Sequence, residues 1–125
     1  MRDINTKEDI EFLVTAFYKK VFSDTSIGPF FTEIAKVNLE DHIPEITKFW
    51  EQQLLRTGSY KKNVIQIHKD LQAKKELKKI HFNTWLNLFN ETVDTHFKGE
   101  KAELIKTRAL SIATILQIKL GSPQS

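Results

Sequence analysis

Apolar residues recur every three or four positions along four stretches of this chain, and that spacing commits it to packed helices rather than to a sheet. From about Lys7 to Phe22 the stripe is Ile10, Leu13, Val14, Phe17, Tyr18 and Val21. It turns Tyr18 inward with its aliphatic neighbours. Thr6 followed by Asp9 has capping-box spacing at the start, and Asp24 to Gly28 supplies turn residues at the end. Gly28-Pro29-Phe30-Phe31 then delivers two adjacent aromatics into a short helical segment, so that one of them must face inward.

The second helix is expected from about Asp41 to Arg56, with Asp41 as its cap and Pro44 in the first turn, where a missing amide is tolerated. His42, Ile46, Phe49 and Gln53 lie along one line of it, with Ile43, Trp50 and Leu54 alongside. A third helix is expected from about Lys74 to Phe97, with Phe82, Leu86, Phe89, Val93 and Phe97 beside a neighbouring stripe of Leu77, His81, Trp85 and Leu88. The fourth, from Glu100 to Leu120, follows a break at Gly99. Residues 1–120 therefore read as one domain and 121–125 as a disordered tail.

Thr57 to Ala73 shows no sustained helical period, yet it holds Tyr60, Val64, Ile65, Ile67, His68 and Leu71. Connectors of this length inside a small domain are commonly functional, and this one carries a single metal-capable side chain, His68. With no cysteine, disulfides and thiolate metal sites are excluded, so metal chemistry must use His, carboxylates or a prosthetic group. No Glu stands three residues before any of the four histidines, as a di-iron helical bundle requires, and there is no HExxH.

The net charge of +3 and a pI near 9.1 come from lysines scattered among acids. No basic recognition helix stands out, so nucleic acid is not an expected partner. There is no membrane-length apolar run and no leader-like amino terminus, and a soluble cytoplasmic protein is expected. Nine Phe, two Trp and two Tyr in 125 residues exceed what a minimal helical bundle needs, and they suit a flat apolar ligand.

Taken in order, AFYKKVFSD (Ala16 to Asp24), IGPFF (Ile27 to Phe31), the spacing from His42 to Phe49-Trp50, GSY (Gly58 to Tyr60), His68 and HFNTWLNLF (His81 to Phe89) resemble the group III truncated haemoglobins from Thr6 to about Ile118. After Tyr60, where relatives often have a second glycine, this chain reads Lys61-Lys62-Asn63. The resemblance implies an all-α truncated globin fold, a two-over-two helical sandwich around haem b, with the helix bearing the proximal histidine reduced to a loop. By position it makes His68 the axial ligand of the iron, and Tyr18, Trp85 and His42 the distal groups that stabilise a bound ligand. It also makes Phe31, Ile46, Phe49, Trp50, Tyr60, Ile65 and Trp85 pocket-lining residues.

The activity implied is reversible binding of oxygen, nitric oxide, carbon monoxide or cyanide. Dioxygen draws electron density from ferrous iron, so donors such as Tyr18 and Trp85 slow its release. That suits redox or nitrogen-oxide chemistry better than bulk transport. Nitric oxide dioxygenase or peroxidase-like turnover would need an external reductase, because the chain has no dinucleotide-binding glycine pattern. The alternative reading is a haem-free helical sensor or protein-interaction domain, in which the same aromatics only build a core.

Overall fold

The computed structural model describes residues 1–56 and 64–121. Five α-helices follow in order, α1 (Lys7–Ser23), α2 (Leu39–Leu55), α3 (Val64–Lys74), α4 (Lys79–His96) and α5 (Glu100–Leu120), with a π-helical turn over Phe30–Ile34 between the first two. The described residues contain no strand. α1 packs on α2 and on α4, α4 packs on α5, and α2 also reaches α5. Two helices thus lie over two, as the resemblance implies, and α3 is attached to the side of α5.

The ends of α1 follow from its sequence. Thr6 accepts the Asp9 amide and Asp9 accepts the Asn5 and Thr6 amides, so the capping box is present. Asp9 is buried and also pairs with Arg2. At the far end Asp24 accepts the amides of Ser26 and Ile27 at 2.8 and 3.0 Å. The turn then runs so close to the end of α1 that a Cβ on Gly28 would stand 3.0 Å from the Phe22 carbonyl oxygen and 3.1 Å from that of Val21. Only glycine fits there without displacing backbone. The chain is thereby aimed into the π turn, where the Ala35 amide donates to the Phe30 carbonyl at 2.8 Å. The extra residue in that turn brings both Phe30 and Phe31 to the interior, Phe30 fully and Phe31 in part.

α2 begins two residues earlier than its acidic run suggests. Its cap is Asn38, whose side chain accepts the Glu40 amide at 2.8 Å, and Asp41 lies inside the first turn. Pro44 consequently falls past that turn, and Glu40, exposed, has no proline amide to accept. Arg56, with φ of 60°, ends the helix in the left-handed conformation.

Two expectations are corrected downstream. The stretch from Val64 to Lys74 is an 11-residue helix and not a loop, so the histidine-bearing segment keeps regular structure. The next helix accordingly starts at Lys79 and not near Lys74. α3 escapes a periodicity reading because it is short and none of its residues is fully buried, which leaves a thin apolar stripe among polar neighbours.

α5 has the bounds its glycines imply, and its amino end is capped from a distance. Asp3 accepts the amides of Lys101 at 2.9 Å and Ala102 at 2.8 Å, while the Lys98 amide donates to the Arg2 carbonyl. Gly99 turns with φ of 149° directly beside Asp3. At the other end Gly121, the first residue of the expected tail 121–125, closes the helix, and residues 122–125 lie outside the described residues.

The core divides in two. The larger cluster joins Ile10, Leu13, Phe17, Val21, Trp50, Phe89, Val93, Ile105 and Ala109, from all four sandwich helices. A smaller cluster joins Phe30, Leu77, Phe82, Ala113, Leu116 and Leu120, with Val64, Ile65 and Leu71 of α3 packed on it. Phe31, Leu86 and Ile112 touch both.

Candidate functional site

Between the two clusters lies a cavity of about 380 Å³, within the range of small-molecule sites. Its wall is overwhelmingly apolar. α2 contributes Ile46, Phe49 and Trp50, α4 contributes Phe82 and Trp85, α5 contributes Ile112, Ala113 and Leu116, and the π turn contributes Phe30 and Phe31. The polar side chains that reach it are few: Tyr18, His42, Glu45, His68 and His81.

These groups are held by aromatic contacts and by two informative hydrogen bonds. The Tyr18 ring meets His42 edge-on at 4.9 Å between centroids and Phe31 at 5.6 Å. Trp85 stacks on Phe89 at 5.4 Å with an interplanar angle of 7°, and Trp50 stacks on the same ring at 5.2 Å, so Phe89 fixes the planes of both indoles.

The imidazoles of His68 and His81 are set in opposite tautomers. His68 Nδ1 lies 2.8 Å from the Val64 carbonyl oxygen. A carbonyl only accepts, so Nδ1 carries the proton and the lone pair sits on Nε2. His81 Nδ1 instead accepts the Lys78 amide at 2.9 Å, closing the first turn of α4, so its lone pair is engaged and its proton sits on Nε2.

Burial pushes the His68 pKa down, against a smaller opposing effect of the bond to Val64. His81 is pushed down by burial and then by Lys75 and Lys78, with Glu76 opposing. Both rings are therefore neutral near pH 7, and only His68 has a nitrogen lone pair to give. A neutral imidazole with one N–H anchored on a carbonyl and the other nitrogen bare is the donor a metal site requires. No cluster of three or more His, Asp or Glu suited to a bare metal ion occurs among the described residues. One bare imidazole nitrogen in an apolar cavity is a lining that fits haem, which needs apolar walls and few protein ligands.

No family model matches the chain. It is 32% identical over 114 residues to the group 3 truncated haemoglobin of Campylobacter jejuni, which spans 89% of this chain and 87% of that relative. The crystal structure of a group III truncated haemoglobin from Campylobacter jejuni superposes with a TM-score of 0.85 at 30% identity, covering 96% of this chain and 95% of that one. The chain belongs to the group III truncated haemoglobins.

Within this haem-binding globin family the cavity takes on its meaning, and most of the residues singled out from the sequence converge on it. Tyr18, Phe31, His42, Ile46, Phe49, Trp50, His68 and Trp85 all line it. Tyr60 lies outside the described residues, as do Lys61 and Lys62. Ile65 packs on the smaller cluster beside Val64 and Leu71. α3 presents Val64, Ile67, His68 and Leu71 to the cavity, and position 65 falls roughly a third of a turn from their mean direction.

Sequence reasoning missed Glu45 and Phe30 in the wall, and it held His81 as the rival axial candidate, which the resemblance assigns to packing. Glu45 stands three residues after His42, on the same helical face, so the spacing itself carried that signal. His81 does both things: it caps α4 and lines the cavity against Phe30, at 4.8 Å between ring centroids. No helix among the described residues is long and apolar enough to cross a membrane.

Proposed function

We propose that this truncated haemoglobin binds haem b in the cavity between its two core clusters, with His68 Nε2 as the axial ligand. One observation carries the assignment: the bond from His68 Nδ1 to the Val64 carbonyl leaves Nε2 bare and sets the ring, while His81, at the wall of the same cavity, has spent the lone pair of its Nδ1 on the Lys78 amide. The apolar wall holds the macrocycle and excludes water.

With one imidazole bound, ferrous haem supplies reversible binding of oxygen, nitric oxide or carbon monoxide, and ferric haem binds cyanide. The protein's own groups then set what is retained. Tyr18 carries a hydroxyl and Trp85 an indole N–H, both at the cavity wall, and each can donate to a ligand that takes on negative charge. His42, edge-on to the Tyr18 ring, offers a further polar group at the same wall. Donors of this kind retain a charge-bearing ligand in preference to a neutral one. Slow oxygen release follows, and with it a role in redox or nitrogen-oxide chemistry that draws electrons from a separate reductase.

The test is an absorption spectrum of the haem-reconstituted protein in ferric, ferrous and carbonmonoxy forms, beside His68→Ala and His81→Ala. Loss of the imidazole-ligated spectrum in His68→Ala alone is expected. Its loss in His81→Ala alone would transfer the ligand to α4. Absence of any haem spectrum from the wild-type protein would leave the haem-free helical domain as the reading.

A further inference from the structure

α3 carries the imidazole on which the proposed function rests, yet it is the least anchored helix of the fold. None of its residues is fully buried, whereas every other α-helix buries at least three. It is bounded by a connector at Lys75 to Lys78 on one side and follows residues 57–63 on the other. Apolar contact with the smaller cluster, through Val64, Ile65 and Leu71, limits how far it can move from α5. Such contact is non-directional, and it leaves sliding and rolling of the helix along α5 open.

One directional bond closes those freedoms. Gln72 Nε2 donates to the Leu120 carbonyl oxygen at 3.1 Å, across 48 positions of sequence. Leu120 is the last residue of α5, so this carbonyl is one of the helix-end acceptors with no partner inside the helix. Gln72 stands one turn beyond His68, and Val64, which holds the His68 ring, stands one turn before it. The bond to Leu120 thus fixes the helix, and the bond to Val64 fixes the ring upon the helix.

We propose that Gln72 is a positioning residue for the axial histidine, setting the height and tilt at which His68 Nε2 meets the iron through its hydrogen bond to the end of α5. It touches neither haem nor ligand. The inference rests on His68 being the ligand, and it adds that the proximal geometry is set by α5 and not by α3 alone.

The measurement is the iron–imidazole stretching band in the resonance Raman spectrum of the ferrous, ligand-free holoprotein, together with the rate of haem loss to an acceptor apoprotein. Three variants are compared with wild type. Gln72→Met keeps length and packing but cannot donate. Gln72→Lys keeps a donor and places a cation at a helix carboxyl end, where it is favoured. His68→Gly removes the ligand. We expect Gln72→Met to shift or broaden the band and to speed haem loss about two- to tenfold, the range for one lost hydrogen bond. Gln72→Lys should return both toward wild type.

Far-UV circular dichroism of all variants keeps a folding defect apart from a positional one. A wild-type band unchanged in position and width in a folded Gln72→Met protein overturns the proposal. So does a shift of equal size in Gln72→Lys, since loss of the donor would then not be its cause. If the wild-type protein shows no band that His68→Gly abolishes, it is the ligand assignment that fails, and Gln72 has nothing to position.

Discussion

At the scale of single residues, the tautomers of two histidines decide more than their positions. His68 and His81 line one cavity, but the Val64 carbonyl and the Lys78 amide force opposite placements of the ring proton. Acid should expose the same chemistry. Burial holds His68 below the ordinary imidazole pKa of about 6.5, and His81 is lowered as well, so the unfolded chain binds more protons over the interval between folded and unfolded values. Stability of the haem-free protein is then full above about pH 6.5 and falls as pH drops through the folded-state values. Urea unfolding of apoprotein from pH 7.5 to 5 should show this fall, and a His68→Leu variant should show a shallower one. Equal slopes would mean that His68 is not buried as its surroundings require. On the ligand side, Tyr18→Phe and Trp85→Phe should each speed oxygen dissociation about ten- to hundredfold, the effect of removing one hydrogen bond to a charged group. Stopped-flow displacement by carbon monoxide measures it, and unchanged rates in both variants would remove the distal-donor reading.

Among the helices, legibility followed burial. α1 and α5 were readable nearly to the residue because each has a deep apolar stripe and a distinct start signal: Thr6 and Asp9 for one, the break at Gly99 for the other. The start of α2 was not, because Asn38 and Asp41 are equally good caps in sequence and only the Glu40 amide distinguishes them. α3 was invisible for the opposite reason, having no deep stripe, and it therefore reads as a connector. The cap of α5 could not be read locally at all, since Asp3 arrives from the far end of the chain. Burial opposes the Asp3 charge, but the amides of Lys101, Ile4 and Ala102 outweigh it and lower the pKa. This cap therefore stabilises above the unfolded carboxylate value and is lost as pH falls through the lower folded one. Asp3→Ala should cost about 1 to 2 kcal/mol at pH 7 and progressively less in acid. Gly99→Ala should cost at least as much, because its φ of 149° strains an alanine and the new Cβ would stand 2.5 Å from the Asp3 side chain. Chemical denaturation of both variants at pH 7 and pH 3 checks the pair, and an acid-independent cost for Asp3→Ala would rule out the carboxylate cap.

For the molecule as a whole, the cavity is placed where the two clusters would otherwise meet, and its lining is shared between them through Phe31 and Ile112. A well-packed interior does not leave 380 Å³ of apolar space without cost, so the haem-free chain gives up contacts that an occupant restores. The two sides do not bear that cost equally. The larger cluster is knitted by four long helices and by the stack of Trp85, Phe89 and Trp50, whereas the smaller depends on α3, the π turn and the last turns of α5. A ligand that binds the folded chain alone raises stability by mass action, and the protection it confers is greatest where local opening was easiest. Haem addition should therefore slow amide exchange most in α3 and in α5 beyond Ile112, while amides in the middle of α1 and α4 already exchange by global unfolding and gain only the global increment. Hydrogen exchange followed by mass spectrometry on apo and holo protein resolves the two regions. Uniform protection along the chain would mean that the fold is one cooperative unit, with the cavity already set before haem arrives.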